Sequence, residues 1–458
     1  MVFSSLVFIF RFMPICLILY FLFPNKYKNM CLFIFSMLFY SYGEPRYIIL
    51  MISSILVDYL ISINIEKYSE KLLLKKILLA ISIIYNLGML CIFKYYDFFI
   101  GTFNDIVGSD FSLLNLSLPL GISFYTFQTM SYTIDVYCDR VKAETNLINF
   151  ATFVTMFPQL IAGPIVKYSD IQKDLQCRSI NIDIIQDGVE EFIIGLGKKV
   201  ILANNFGLVW SYAKEIGFSN ISTPMAWLSL LCFSFQIYYD FSGYSTMAIG
   251  LGKILGFNFP KNFNFPYISK SIVEFWRRWH ITLGSWFKEY VYIPLGGSRC
   301  TNIHKYFNLF IVWFLTGLWH GAEVNFIFWG LYFYIFIVLE KTFLHKYLNK
   351  HNLIAHIYTI FVLLIGWLIF VTPDINTLCQ YMKALFIYKH DIEWIYYLKN
   401  SIIILIIGLI CSTPLIETIW YKLRKNAIIK TLSLLCIFFI SISYLVDSTY
   451  NPFLYFRF

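Results

Sequence analysis

Two of the seven histidines in the 458-residue sequence stand where a base would be useful. His280 closes the run Trp276-Arg277-Arg278-Trp279-His280, and His320 lies in Gly317-Leu318-Trp319-His320-Gly321 at the end of a strongly apolar stretch. An ionisable side chain is expensive to keep on such a segment and points to function. A neutral imidazole near pH 7 takes a proton from a hydroxyl and returns it to a leaving group, which suits acyl transfer. The plainer alternative is a packing histidine hydrogen-bonded to a carbonyl. His304, His345, His351, His356 and His390 fall in or beside polar links or at a segment edge and read as interfacial.

The rival chemistries have weaker signatures. No H-x-x-x-H or H-E-x-x-H pattern occurs, the two histidines are forty residues apart, and G-x-S-x-G is absent. The ten cysteines are scattered without a C-x-x-C pair. No metal and no resident cofactor are expected. Glu274 is three residues from Arg277 and four from Arg278. One arginine can be neutralised by that carboxylate, leaving the other for a phosphate-rich ligand; a purely structural ion-pair network is the alternative.

What must position these residues is a membrane-embedded scaffold. Hydrophobic residues make up 59%, aromatic 20% and charged only 14%, more apolar side chain than a water-soluble interior hides. The fold class is an all-α polytopic membrane protein. Windows of about 19 residues predict about eleven to thirteen membrane-embedded helices. The clear ones are Val2–Phe23, Met30–Tyr42, Tyr47–Ile65, Ile77–Phe93, Ile148–Val166, Met225–Tyr239, Phe307–Trp319, Val324–Leu339, Ile354–Val371, Ser401–Ile419 and Ala427–Val446, with Leu120–Tyr137 and Phe192–Trp210 more polar. Several are shorter than a full span, so some enter without crossing. Val2–Phe23 lacks a basic n-region and a small-residue cleavage site, so it reads as a retained helix.

The net charge of +9 reads as Lys and Arg at cytoplasmic helix ends, not as a nucleic-acid surface. Lys67, Lys71, Lys75 and Lys76 place the link Glu66–Lys76 inside; Asp97, Asp105 and Asp110 without a basic residue place Tyr95–Leu118 outside. From Gly256 to Asn308 charged and aromatic residues interleave too densely for a linker or a lipid-facing helix, so this stretch is expected to wall an internal cavity. Neither repeats nor a long linker divide the chain, which reads as one membrane domain over residues 1–458 with a signature core at about 118–340.

A set of motifs runs in order along the chain: Leu118-Pro119-Leu120-Gly121-Ile122-Ser123-Phe124, Phe157-Pro158-Gln159-Leu160-Ile161-Ala162-Gly163-Pro164, Tyr239-Asp240-Phe241-Ser242-Gly243-Tyr244, Glu274 through His280, Tyr292-Ile293-Pro294-Leu295-Gly296-Gly297, Leu318-Trp319-His320-Gly321 and Asn451-Pro452-Phe453. Together they resemble the bacterial membrane-bound O-acyltransferase (MBOAT) family, most closely its alginate O-acetyltransferase-like branch. The resemblance implies a ring of tilted helices around a thinned centre, with a tunnel from the cytoplasmic face to an outward cavity. It implies His320 as the catalytic histidine and His280 as the second signature histidine, toward the cytoplasmic entrance. Arg277 or Arg278 is expected to hold the donor's phosphates, Trp319 to bind substrate and Asp240 to orient a cavity group.

The donor expected from the resemblance is acetyl-CoA. The acceptor is a secreted or cell-surface polysaccharide, often reached through a separate SGNH-type extracytoplasmic protein and alongside glycan synthesis and export proteins. The location is the bacterial cytoplasmic membrane. Thr246 stands where many alginate-type members carry an acidic residue, and the acceptor is open among alginate, cellulose, peptidoglycan and other glycans. D-alanyl transfer to teichoic acid is an alternative within the family. A transporter or flippase of a glycan-export complex is the alternative of a different class; it would favour inverted repeats, which the sequence does not show.

Overall fold

The computed structural model describes residues 2–447, 451 and 454. Of the terminal motif only Asn451 is among them; Pro452 and Phe453 lie outside the described residues. Every regular element described is helical, with no strand. A helix satisfies its own backbone donors and acceptors, as a segment in hydrocarbon must. Seven helical stretches are long and apolar enough to cross a membrane: Pro45–Lys67, Leu72–Val107, Ile182–Ile216, Val324–Leu348, Asn352–Val371, Glu393–Cys411 and Ala427–Asp447. Phe8–Leu22 is apolar but shorter. The protein is a multi-pass, all-α membrane protein.

The other expected segments are helical but shorter, more polar or broken. Ile148–Val166 divides into Leu147–Thr155 and Phe157–Leu160, with Met156 non-helical between them at φ −49°, ψ 111°. Pro158 has no N–H and so sits in the first turn of the second piece, where none is needed. The link Tyr95–Leu118 contains a helix, Tyr96–Val107, ended by Gly108 at φ 71°, a left-handed value that glycine adopts freely. The Asp97 carboxylate then accepts the N–H groups of Leu114 (2.7 Å) and Asn115 (3.0 Å) and ties the returning chain to that helix. Ser401–Ile419 gives way to Glu393–Cys411 and, after Pro414, a separate helix Leu415–Leu423.

Internal contacts divide the chain into two compact units. The first holds Met1–Phe192 with Ser245–Pro260 and the second Ile193–Tyr244 with Lys261–Leu454. In the first, Ile48–Lys67, Leu72–Leu90 and Ile122–Tyr137 meet around the fully buried Asp58. Its carboxylate accepts from Ser82 Oγ at 2.5 Å, Asn86 Nδ2 at 2.8 Å and Thr133 Oγ1 at 3.4 Å, bonds that offset the cost of burying it. The second unit carries both signature histidines.

Candidate active site

His320 is the last residue of the helix Asn302–His320, whose first turn is capped by the Thr301 hydroxyl accepting the His304 N–H. This helix packs against Val324–Leu339 at a distance that only glycine permits. A Cβ at Gly317 would collide with the Phe326 carbonyl, and one at Gly330 with the Trp313 carbonyl. Gly321 leaves room for the Phe326 ring, which any side chain there would strike. The close approach buries His320 to 2% exposure. Its ring meets those of Trp329 (4.9 Å), Trp319 (5.0 Å) and Phe370 (5.4 Å) edge to face.

Arg277 and His280 are positioned by a short, heavily capped helix, Ile272–Arg278. Ser271 Oγ accepts the Glu274 N–H at 3.0 Å, and the Glu274 carboxylate accepts the Lys270 N–H at 3.0 Å. The buried Glu340 carboxylate takes the Ile272 N–H at 2.6 Å and the Val273 N–H at 3.0 Å. Four backbone donors are thus satisfied at one end. At the other, the chain turns at His280 with φ 46° and starts a second helix, Ile281–Phe287. A left-handed conformation costs a non-glycine residue about 1–2 kcal/mol. It is held by residues 262–264, since Asn264 N–H donates to Arg278 O and Ile281 N–H to Asn262 O, each at 2.9 Å.

These pieces enclose a cavity of about 440 Å³ whose walls include Arg277, His280, Lys288, His320 and Lys341 among the indoles of Trp276, Trp279 and Trp313. Both histidines expected to act together therefore face one space. The sequence reading of Gly256–Asn308 as cavity wall fits the Val273–Lys288 part of the lining. Trp319 is not in the lining, but its ring lies 5.8 Å from His280 and next to His320, so it packs the two together.

Of the two arginines, Arg278 is occupied. It pairs with Glu274 at 2.9 Å and donates to the Asn264 carbonyl at 3.1 Å. Arg277 makes no ion pair among the described residues and lines the cavity. Asp240 is placed elsewhere: its carboxylate pairs with Lys199 at 2.6 Å, both almost fully buried, and accepts the Leu454 N–H at 2.7 Å. Neither Asp240 nor Arg278 lines the cavity.

Two lining cations, Lys288 and Lys341, escape a motif search, because Lys341 opens a link that reads as cytoplasmic and Lys288 is one of several charges in an aromatic stretch. Lys341 feels the repelling charges of Lys305 and Arg277, offset in part by the neighbouring Glu340, so cations outnumber acids at this end of the cavity. No carboxylate lines it among the described residues. Burial pushes the His280 pKa down to about 3, leaving that ring neutral. No group of three His, Cys, Asp or Glu residues that could hold a metal is found among the described residues. The site thus combines neutral imidazole, cationic side chains and aromatic walls.

The description membrane-bound O-acyltransferase family matches residues 139–372. Pseudomonas aeruginosa has a protein named probable alginate O-acetylase AlgI that is 38% identical over 84% of this chain and 75% of its own length. The peptidoglycan O-acetyltransferase of Helicobacter pylori is 35% identical over 84% of this chain and 80% of its own. The teichoic acid D-alanyltransferase of Bacillus subtilis is more distant, 30% identical over 52% of this chain and 62% of its own. With the family matched over half its length and the Pseudomonas and Helicobacter relatives aligned over 84% of it, the chain belongs to the membrane-bound O-acyltransferase family and is an O-acyltransferase.

Proposed function

We propose that the protein transfers acetyl from cytoplasmic acetyl-CoA to hydroxyl groups of a secreted or cell-surface polysaccharide, directly or through an SGNH-type extracytoplasmic partner, in a bacterial cytoplasmic membrane. The observation that carries this reading is the single cavity that holds both histidines beside Arg277, Lys288 and Lys341. His320 acts as general base. It takes the proton of the attacking hydroxyl as oxygen bonds to the thioester carbonyl carbon; the C–S bond breaks, and the proton passes to the departing thiolate to give free CoA. His280 supports the same step from within the same cavity lining, and Arg277 holds donor phosphate in the geometry guanidinium favours. The donor enters through a tunnel from the cytoplasmic side, because phosphates do not cross hydrocarbon. The names of the alginate and peptidoglycan relatives support acetyl as the group and a glycan as the acceptor.

Inside-out membrane vesicles given radiolabelled acetyl-CoA test the reading. Label should accumulate on glycan or partner protein inside the vesicles with the wild-type protein and not with His320→Ala. Label that accumulates equally with the variant, or none with either when donor and acceptor are both present, contradicts it.

A further inference from the structure

Asn262 is outside the cavity lining but contacts His280, which is part of it. Its side-chain oxygen lies 3.2 Å from His280 Nδ1, 3.2 Å from the Thr282 backbone nitrogen and 3.0 Å from Thr282 Oγ1. A backbone N–H only donates, so the amide atom facing Thr282 N is the oxygen, whichever way an amide is otherwise assigned. The imidazole nitrogen that shares this oxygen must then carry the hydrogen. Protonation at Nδ1 leaves Nε2 of the neutral ring with a lone pair. Nε2 is buried and has no partner among the described residues, an arrangement that costs about 1–3 kcal/mol. His280 also bears the left-handed φ of 46°. Two separate costs fall on a residue in the cavity wall, the pattern of a group arranged for a ligand and not for its own stability.

We propose that Asn262 is a positioning residue that locks His280 in its Nδ1–H tautomer, so that Nε2 accepts a hydrogen bond from an N–H, O–H or S–H of the reactant in the cavity. The charged and titratable groups that line the cavity together with His280 are Arg277 and Lys288 from its own segment, His320 from Asn302–His320 and Lys341 beyond Val324–Leu339. Phe241 and Trp319 give it aromatic rings only. No acid lines this space among the described residues, so an acid placed at 262 would be the first to stabilise a protonated ring.

The role of the reactant rests on the acyl-transfer reading, whereas the tautomer does not, and the test separates them. Nitrogen NMR of histidine-labelled protein, with the His280 signals identified by their loss in His280→Gln, should show Nδ1 protonated and Nε2 bare. In Asn262→Ser the two tautomers should mix. In Asn262→Asp the carboxylate against Nδ1 should raise the His280 pKa, so that the titration profile of its nitrogen NMR signals moves to higher pH by about one unit or more. A purely structural Asn262 would instead give less stable variants with the wild-type tautomer and an unmoved profile, which overturns the proposal, as does a wild-type ring protonated at Nε2. Should His320→Ala remain fully active while the tautomer result holds, the role of His320 as base in the acyl-transfer reading fails and the Asn262 assignment stands.

Discussion

Replacing Arg277 and replacing Arg278 should fail in different ways. Arg277 faces the cavity with no carboxylate partner among the described residues, so Arg277→Ala should remove a contact that ground state and transition state share. A hydrogen bond to a charged group is worth about 1.5–3 kcal/mol. The KM for acetyl-CoA should therefore rise about tenfold or more with kcat nearly unchanged, as measured by steady-state kinetics in detergent. Arg278 joins Glu274 and the Asn264 carbonyl, so Arg278→Ala should lower the melting temperature and leave KM within about twofold. Equal KM effects from the two would place the donor elsewhere. The ambiguity between them is inherent in the sequence, since Glu274 is within helical reach of both and only the built helix selects the i,i+4 pair. His280 and His320 were legible from type and setting, but Asn262, 18 residues away, was not tied to His280 by any periodic pattern.

At the scale of elements, the site depends on two packing devices. Glu340 binds the first N–H groups of Ile272–Arg278 from a position 68 residues further along. Glu340→Ala strands these donors, each at a cost of about 1–3 kcal/mol. It should lower the melting temperature and raise the KM for acetyl-CoA by loosening the helix that carries Arg277. Glu340→Gln, which keeps one acceptor oxygen, should recover part of both; no recovery would assign Glu340 a role other than capping. Gly317 and Gly330 set the second device. Overpacking costs about 1–3 kcal/mol, so Gly330→Leu, forcing Val324–Leu339 off Asn302–His320, should destabilise the protein and reduce kcat by displacing His320. A fully stable and active variant would contradict the close approach. Apolar windows revealed where helices lie because lipid imposes a length and a composition. They did not reveal where helices break, which Met156, Gly108 and Pro414 decide locally, nor which capping carboxylate arrives from a distant helix.

The whole molecule is a multi-pass membrane protein, and its orientation fixes the side from which donor and acceptor approach. In the helices Glu393–Cys411 and Ala427–Asp447 only 6% of the apolar window is buried within the protein, so lipid must solvate most of both. Lys67, Lys71, Lys75 and Lys76 favour a cytoplasmic Glu66–Lys76 link, and the acidic stretch after Tyr95 favours the outside. Cysteines such as Cys91, Cys138 and Cys177 are exposed and must first be replaced. In that background, Ser109→Cys should label with an impermeant thiol reagent in intact cells and Ser69→Cys only after lysis; the reverse pattern would invert the assigned donor side. Acyl transfer by His320, within the cavity it shares with His280, is the proposal on which the other roles depend. Its most direct measurement is the O-acetyl content of surface glycan in cells lacking the native protein and carrying wild-type or His320→Ala at equal membrane levels. His320→Ala should lower it by about 10²–10⁴-fold, the usual contribution of a positioned base. Wild-type acetylation by the inserted, stable variant would contradict it.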